Sequence, residues 1–501
     1  MRKVYTAPKK VKGVGDMAHL SIDGKWVEAK ENTLLIDVLF AQGVSIPHFC
    51  YHPALGKDGN CRMCMVEIEG KKRPQIACDT PVHEGLVVRT QSPAIKEVRR
   101  SILELELINH PVDCPICDQA GECKLQEYYM ETGQYESRLE TSKVRGKKHV
   151  DLGANVVLDQ ERCVLCTRCV RFTTNITKSH ELGVFGRGDA AVIDVYPGKT
   201  LTNAYAMNVV DLCPVGALTS KAFRFKKRVW FLRSFEAICP GCARGCNVFV
   251  DHHRAKYEDD LMYRIRPRLN EAVNGHFVCD AGRMVYEEQN LKRPAKAYSR
   301  GIALSVKEVI EEARREIMHP LSVVVISASA SLEELWMARF FESALGLKVY
   351  VSCHSDPEFE DDYLRVADRE MNVAGAKALG LECICDPKII FEEARFVVLI
   401  GQKEVERWME ACEAHGMPFG LIHAHATSPK ARWSLPIASH FERSGRFMAQ
   451  GGLVQESKAG LDKQAPRLSL VALLTQLFDY SPAFIEETMR ALAAHLEGSH
   501  G

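Results

Sequence analysis

The sequence predicts an α/β protein of several domains, in which small cysteine-bearing units precede a parallel sheet. A chain of 501 residues is too long for one hydrophobic core. After Pro294, buried-type strands alternate with helices, which is typical of a doubly wound parallel sheet. Before Pro294, short strands and loops surround tight groups of cysteines. These three observations indicate the fold class.

The composition argues against several classes of function. Lys+Arg and Asp+Glu balance at 65 each, so nucleic acid is not an expected partner. No apolar run approaches the length of a membrane span. Residues 1–16 are predicted to be a basic tail without the apolar region of a secretory signal. Met17 is therefore a candidate alternative start, since the structured pattern begins at His19.

The 19 cysteines are the most unusual feature of the composition. A secreted disulfide scaffold is usually small, whereas this chain is long and its cysteines are odd in number and clustered. Clustered thiols favour metal binding, which requires them to stay reduced. We therefore expect a cytoplasmic protein.

Residues 17–91 are predicted to form a small mixed α/β unit of the β-grasp type. Asp23-Gly24 indicates a hairpin between His19–Ile22 and Trp26–Ala29. A helix capped near Asn32 or Thr33 should end at Gly43. The remaining strands are expected at Met65–Ile68, Gln75–Ala77 and Leu86–Thr90.

Residues 92–140 begin with a helix and continue into a cysteine-rich loop. Ser92-Pro93 is a strong helix start, and Pro111 should end the helix before His110. The spacing predicts an inward face of Ile95, Val98, Ile102, Leu105 and Ile108. Two further cysteine-bearing units are expected at 141–235, which begins with a polar linker, and at 236–295.

Residues 296–501 are predicted to form the α/β domain. Ser331 and Glu334 make a capping box at the start of a helix that ends at Gly346. Another helix is expected at Lys403–Ala414. The predicted strands are Leu321–Ser327, Leu347–Val351, Ala394–Ile400 and Gly420–His423.

The first candidate ligand set is Cys50, Cys61, Cys64 and Cys78. Four thiolates on the loops of a small β unit suit a [2Fe–2S] cluster, in which each iron takes two ligands. Gly56 and Gly59 allow close backbone turns around such a cluster. A structural zinc ribbon is the alternative.

The second set is His110 with Cys114, Cys117 and Cys123. Soft thiolates at close spacing favour zinc, copper(I) or an iron–sulfur cluster. The histidine is an unusual fourth ligand for any of these.

The third set is Cys163, Cys166 and Cys169 with the distant Cys213-Pro214. Two x2 spacings followed by Cys-Pro are typical of one [4Fe–4S] site of ferredoxins. The fourth set is Cys239, Cys242, Cys246 and Cys279, with spacings typical of the [4Fe–4S] site of molybdopterin oxidoreductases. A zinc finger is the alternative for the fourth set.

Four cysteines remain outside these sets: Cys353, Cys383, Cys385 and Cys412. They lack partners at metal-binding spacing. They are interpreted as small buried hydrophobic residues.

The motifs resemble those of the family of the large iron–sulfur subunit of NADH-quinone oxidoreductase, which is respiratory complex I. The resemblance rests on Cys50-Tyr-His-Pro53, Gly59-Asn-Cys61-Arg-Met-Cys64, His110 to Gln126, Arg162 to Phe172 and Asp211 to Ser220. It extends in order from residue 17 to about residue 290.

The resemblance implies an electron-relay subunit with one [2Fe–2S] and three [4Fe–4S] clusters, held by the four sets above. In that family, electrons pass from an FMN-containing, NADH-oxidising flavoprotein to the first, third and second clusters in turn, and then to a ferredoxin-like two-cluster subunit. A small [2Fe–2S] subunit is a further expected partner. Contact with the membrane is expected only through the complex, on the cytoplasmic face of the inner membrane. No catalytic residue, NADH, FMN or quinone site is expected on this chain.

The C-terminal part resembles a degenerate molybdopterin-oxidoreductase domain. Leu435-Pro436, Glu442 and Gly445 to Gln455 match a motif of that family. Arg446, Ala449 and Leu453 replace its usual Thr, Asn and Arg. Because these polar contacts are lost and the region after Cys279 is short for the family, no molybdopterin is expected.

Three alternatives stay open. The chain could be the relay subunit of an NAD-linked hydrogenase, which uses the same first three sets. A formate dehydrogenase subunit shares the four-cluster front end but needs a complete molybdenum domain. A structural zinc protein is the alternative without redox chemistry.

Overall fold

The computed structural model describes residues 17–132, 135–138, 140–255, 260–291, 294, 296–401, 405–461 and 467–498. The expected basic tail at 1–16 lies outside these ranges. The chain divides into two compact units, and the boundary in the sequence lies between Val229 and Trp230. The six segments predicted from the sequence are a finer division and stay a prediction. Within the described ranges, no helix has the length and apolar character needed to cross a membrane.

The first unit begins with a five-stranded mixed sheet in the order β2-β1-β5-β3-β4. The predicted hairpin is confirmed, with Asp23 and Gly24 both at positive φ. The predicted side-chain cap at Asn32 or Thr33 is wrong, because Leu34 is the N-cap residue and makes no such bond. The elements are β1 (Met17–Ile22), β2 (Lys25–Lys30), α1 (Leu35–Ala41), β3 (Met65–Ile68), β4 (Gln75–Ile76) and β5 (Val87–Arg89).

Helix α2 (Pro93–Leu107) starts as predicted, with the Ser92 side chain accepting a hydrogen bond from the Ile95 N–H. Its predicted inward face is only partly right, since Leu105 is 67% exposed. The helix instead turns Arg99 inward, where its guanidinium donates two hydrogen bonds to the Met65 carbonyl. The buried face of α2 therefore runs through Ile95, Arg99 and Leu103.

The rest of the first unit consists of short helices and strands that are connected by long loops. Strands β10, β7 and β6 form one small sheet, and β8 pairs with β9. The elements are α3 (Lys124–Thr132), β6 (Val150–Asp151), β7 (Val156–Leu158), α4 (Arg168–Arg171), β8 (Leu182–Phe185), β9 (Val192–Val195), α5 (Asn208–Leu212) and β10 (Leu218–Ser220).

The second unit opens with a three-stranded antiparallel sheet followed by a helix. These elements are β11 (Arg233–Ile238), β12 (Asn247–Arg254), β13 (Asp260–Pro267) and α6 (Asp280–Gln289).

An eight-stranded sheet forms the centre of the second unit. Its six parallel strands follow the order β18-β17-β16-β19-β20-β21, and β14 and β15 add an antiparallel edge. This is the 3-2-1-4-5-6 order of doubly wound sheets. The strands are β14 (Ala297–Ser299), β15 (Ile302–Leu304), β16 (Ser322–Ser327), β17 (Lys348–Ser352), β18 (Glu382–Ile384), β19 (Phe396–Gly401), β20 (Phe419–His423) and β21 (Trp433–Pro436).

Apolar cores cover both faces of this sheet, which confirms the predicted doubly wound arrangement. Val324 and Ile326 point into one core, and Val323 and Val325 point into the other. The capping box at Ser331 and the left-handed Gly346 also form as predicted. The remaining elements are α7 (Val306–Ile317), α8 (Leu332–Leu345), α9 (Val373–Ala378), α10 (Lys388–Phe391), α11 (Val405–His415), β22 (Gly445–Met448), β23 (Val454–Ser457), α12 (Leu470–Phe478) and α13 (Pro482–Gly498).

Candidate iron–sulfur sites

The first set comes together from the long loop that ends just before β3 and from a short 3₁₀ turn at Ala77–Asp79. All four thiols are buried. The sulfur atoms of Cys50 and Cys61 lie 3.5 Å apart, and Cys78 hydrogen-bonds both Cys50 and Cys64. The set therefore forms one continuous group of sulfur atoms, as four ligands of a two-iron cluster require.

Backbone N–H groups around the first set point at a ligand sulfur. The N–H groups of Phe49 and Cys50 donate to the sulfur of Cys61 at 3.4 and 3.5 Å. Gly56 and Gly59 both adopt positive φ, as predicted. Hydrogen bonds among the thiols lower the pKa of Cys50 and Cys64 and raise the pKa of Cys61 and Cys78. The protein alone therefore does not hold all four as thiolates, and a bound metal is what would stabilise the thiolate form of the other two.

The second set lies on the loop between α2 and α3. Cys117 and Cys123 are buried, and the thiols of Cys114 and Cys123 each interact electrostatically with Cys117. Burial lowers the pKa of His110 to about 4, so its imidazole is neutral at neutral pH. A neutral imidazole is the form that binds a metal.

A glycine from another segment packs against this loop. A Cβ at Gly216 would overlap the sulfur of Cys117 and lie 3.0 Å from the Cβ of Gln119. Only glycine therefore leaves the Cys117 thiol in place. Gly216 follows Cys213 by three residues, so the loop of the third set also shapes the second.

The third set surrounds a small cavity lined by all four of its cysteines and by apolar residues, including Leu158, Ile193 and Leu218. Leu165 and Thr167 adopt positive φ, which wraps the loop tightly around this cavity. The Leu165 N–H donates to the sulfur of Cys163 at 3.4 Å. Burial raises the pKa of Cys166 to about 12, and a bound metal is what would hold such a thiol as thiolate.

The fourth set lies in the second unit, around a cavity of about 260 Å³. Its four cysteines line this cavity together with Ser329, Arg369 and His440 of the α/β region. The Gly241 and Gly282 N–H groups donate to the sulfurs of Cys239 and Cys279 at 3.4 and 3.3 Å. A Cβ at Gly282 would lie 3.0 Å from the Cys239 sulfur, so a larger residue there would press on this ligand.

The donor chemistry of the first, third and fourth sets fits iron–sulfur clusters. Their sulfur donors are mostly buried and lie together, and backbone N–H groups point at sulfur in each of them. Within the described ranges, no group of three or more His, Cys, Asp and Glu side chains is arranged to hold a single metal ion. A cluster has a different geometry, because its ligands bind two or four separate irons.

Two arginines beside the third set were not predicted as functional residues. Arg171 donates to the carbonyl oxygens of Leu55 and Gly56 at 3.1 and 2.8 Å, and also to that of Cys50. Arg168 donates to the carbonyl of Tyr51 and, at 3.2 Å, to that of Leu212. The available signal was their position on either side of Cys169 in the third motif.

The interpretation of the four remaining cysteines is right only for Cys412, which is fully buried in an apolar core. Cys385 is exposed, and its sulfur lies 3.2 Å from that of Cys353. Cys353 also hydrogen-bonds Cys383. The thiol of Cys353 therefore meets those of Cys383 and Cys385, about thirty residues later in the chain, at one end of the sheet.

Three family models match parts of the first unit. Residues 15–93 match a 2Fe-2S iron-sulfur cluster binding domain. Residues 99–138 match the NADH-ubiquinone oxidoreductase-G iron-sulfur binding region, and residues 153–219 match the ferredoxin-like domain of NADH-quinone oxidoreductase subunit 3. Both [2Fe–2S]-type and [4Fe–4S]-type binding domains are thus present.

Curated relatives match a larger part of the chain. The G-type subunit of NADH-quinone oxidoreductase from Rickettsia prowazekii (strain Madrid E) is 37% identical over 341 residues, which are 67% of this chain and 50% of the relative. The NADH-ubiquinone oxidoreductase 75 kDa subunit of Reclinomonas americana is 41% identical over 281 residues, 56% of this chain and 40% of the relative. The chain spans about half the length of the first of these relatives.

Among solved structures, a chain of an NAD⁺-reducing [NiFe]-hydrogenase in the H₂-reduced state matches with 31% identity. The match covers 42% of this chain and 91% of the hydrogenase chain, with a TM-score of 0.38. The ordered cluster motifs, the three family models and the curated relatives agree with one another: the chain belongs to the family of the large, G-type iron–sulfur subunit of NADH-quinone oxidoreductase.

Proposed function

We propose that this chain is the electron-relay subunit of an NADH-quinone oxidoreductase. It receives electrons from an FMN-containing flavoprotein that oxidises NADH and passes them to a ferredoxin-like subunit nearer the quinone. In the whole complex this transfer is coupled to proton translocation. The role of this chain in the enzyme is electron transfer, and no separate substrate site is assigned to it.

The observation that supports this proposal most strongly is the direct contact between ligand loops in the first unit. The Asn60 side chain, next to Cys61, donates to the Leu165 carbonyl at 2.8 Å, between Cys163 and Cys166. The Lys124 N–H, next to Cys123, donates to the Pro214 carbonyl at 2.9 Å, next to Cys213. The third set is therefore linked to both of its neighbours, which supports a route from the first to the third to the second set.

The proposed cofactors are one [2Fe–2S] cluster in the first set and [4Fe–4S] clusters in the other three. Bound clusters supply one-electron donors and acceptors. The protein residues hold these groups in fixed order and keep water away, since most of the ligand thiols are buried. Neutral His110 completes the second set without adding negative charge.

The fourth cluster is proposed to lie off the main route. Its ligands belong to the second unit, whereas the other three sets share the first. The Gln455 side chain donates to the Gly245 carbonyl at 2.9 Å and so connects the fourth loop to the strand β23. This packing supports a structural role for the fourth cluster.

Residues 296–501 are proposed to be a degenerate molybdopterin-oxidoreductase-like domain that binds no pterin. Arg446, which replaces the usual Thr, forms an ion pair with Glu333 at 2.8 Å. Its backbone N–H also donates to Glu333 at 3.0 Å. The side chain at position 446 is thus engaged by Glu333 within the domain, which supports a structural role for residues 296–501.

The proposed site of action is the peripheral arm of the complex, on the cytoplasmic face of the inner membrane. The small [2Fe–2S] subunit, the flavoprotein and the ferredoxin-like subunit are the proposed partners there. These assignments depend on the family to which the chain belongs.

Metal analysis after anaerobic purification tests the cofactor assignment. We expect roughly fourteen irons per chain with matching labile sulfide, and low-temperature EPR signals from both cluster types after reduction. A few zinc ions with little iron or sulfide would instead support the structural zinc alternative and overturn the relay.

A further inference from the structure

Cys353 and Cys385 directly follow the last residues of two neighbouring parallel strands, β17 and β18. Ser352 of β17 is in register with Ile384 of β18, so the residue that follows each strand lies beside the other. The Cys353 N–H donates to the Ile384 carbonyl at 3.1 Å, which continues the pairing past the strand end. Adjacent strands lie about 4.8 Å apart, within the Cα separation of about 4.4–6.8 Å that a disulfide accepts.

The side chains of these residues share one face of the sheet. Cys383 precedes Cys385 by two positions, and alternation along a strand places both on the same side. The sulfurs of Cys353 and Cys385 are 3.2 Å apart, and Cys353 also hydrogen-bonds Cys383. The sulfurs of Cys353 and Cys385 therefore lie side by side, with the Cys383 thiol next to Cys353.

Solvent reaches this group through Cys385. Its strand β18 is the last strand of the sheet, and Cys385 is exposed while Cys353 and Cys383 are half-buried. Arg407 donates to the Cys385 carbonyl at 2.6 Å and places a cation beside this end of the strand. Burial and the neighbouring Cys353 thiol raise the pKa of Cys385 to about 11, and Arg407 offsets part of this rise. The thiolate, which is the reactive form in disulfide exchange, therefore becomes more populated as the pH rises towards that value.

We propose that Cys353 and Cys385 form a reversible thiol–disulfide pair that equilibrates with low-molecular-weight disulfides such as oxidised glutathione. One protein thiol loses its proton to solvent and attacks a sulfur of the small disulfide, which forms a mixed disulfide and releases one thiolate. The second protein thiol then attacks the mixed disulfide and releases the other small thiol. Two protein thiols are oxidised, and one small disulfide is reduced to two thiols.

The oxidised pair would join the edge strand β18 covalently to β17. The closed loop contains the 31 residues between the two cysteines, and loops of this size gain stability when they are cross-linked. The site is separate from the four cluster sets, because none of its residues lines the fourth-set cavity. The inference does not depend on the proposed electron route.

The test uses the full cluster-loaded chain, equilibrated without oxygen in glutathione buffers from fully reduced to fully oxidised. Free thiols are alkylated, and tryptic peptides are mapped by mass spectrometry. Cleavage at lysine and arginine places Cys353 in the peptide 349–365 and Cys383 and Cys385 in the peptide 378–388. We expect these two peptides to become linked in oxidised buffers, while Cys412 stays reduced as the internal reference.

Two variants identify the pair. Cys385→Ser should lower the yield of linked peptide more than tenfold, and Cys383→Ser should leave it near the wild-type level. The proposal is overturned if the wild-type thiols stay reduced in every buffer, if Cys383→Ser removes the link as fully as Cys385→Ser, or if the disulfide joins Cys383 to Cys385. Stoichiometric zinc or copper that shields the three thiols would also overturn it, because the group would then be a metal site.

Discussion

Arg171 donates a hydrogen bond to the carbonyl oxygen of Cys50, so a side chain beside the third ligand set holds the backbone of the first. The same guanidinium also donates to the carbonyls of Leu55 and Gly56. The loop between Cys50 and Cys61 thus depends on a residue more than one hundred positions later in the chain.

We expect Arg171→Ala to lower the free energy of unfolding of the first unit by about 2 kcal/mol, because charged hydrogen bonds to a buried loop are lost. Arg171→Lys should lose less of the free energy of unfolding than Arg171→Ala but should not reach the wild-type value, since lysine lacks the planar guanidinium that donates to several carbonyls. The measurement is the urea dependence of cluster absorbance. Exposed Arg187→Ala is the control, and an equal midpoint for Arg187→Ala and Arg171→Ala would refute the bracing role.

Local features of the fold could be predicted from the sequence. The Asp23-Gly24 hairpin, the Ser92 cap and the Ser331 capping box all form, because neighbouring residues determine them. The inward face of α2 was partly wrong, since the pattern cannot show that Arg99 would find the Met65 carbonyl.

Contacts between distant segments were not predictable. The proximity of Cys353 and Cys385 arises from the register of two parallel strands, which no local spacing shows. The fit of Gly216 against Cys117 likewise depends on two loops that meet only in the folded chain. The ligand sets themselves could be proposed from cysteine spacing because clusters impose short, repeated intervals.

Gly216→Ala should disrupt the second cluster selectively. The added methyl group overlaps the Cys117 sulfur, so the thiol must move away from its place in the ligand set. We expect the EPR signal of this cluster to fall by more than half, while the signal of the first cluster remains. Gly451→Ala is the control because a Cβ there meets open space. A normal second-cluster signal in Gly216→Ala would show that the loop tolerates the change.

His110→Cys should lower the midpoint potential of the second cluster. A thiolate in place of a neutral imidazole adds one negative charge, and histidine ligation raises the potential of Rieske centres. The expected shift is on the order of 100 mV, measured by redox titration of the EPR signal. An unchanged or higher potential would contradict the role assigned to His110.

Cys242→Ser should reduce the amount of assembled complex more than the turnover of each assembled copy. Its set faces Ser329, Arg369 and His440 in a shared cavity, so loss of the fourth cluster disturbs packing within the second unit. Native gels give the amount of complex, and quinone reduction per bound FMN gives the turnover. Exposed Cys385→Ser is the control. A fully assembled complex that fails to reduce quinone would place the fourth cluster on the electron route.

The most direct test of the relay is Cys169→Ser in the assembled complex. Cys169 is a buried member of the third set, which lies between the first and second sets on the proposed route. We predict that NADH-driven quinone reduction is abolished, while NADH oxidation by ferricyanide at the flavoprotein continues near the wild-type rate. Quinone reduction at the normal rate, in a variant shown by EPR to lack the third cluster, would contradict the account.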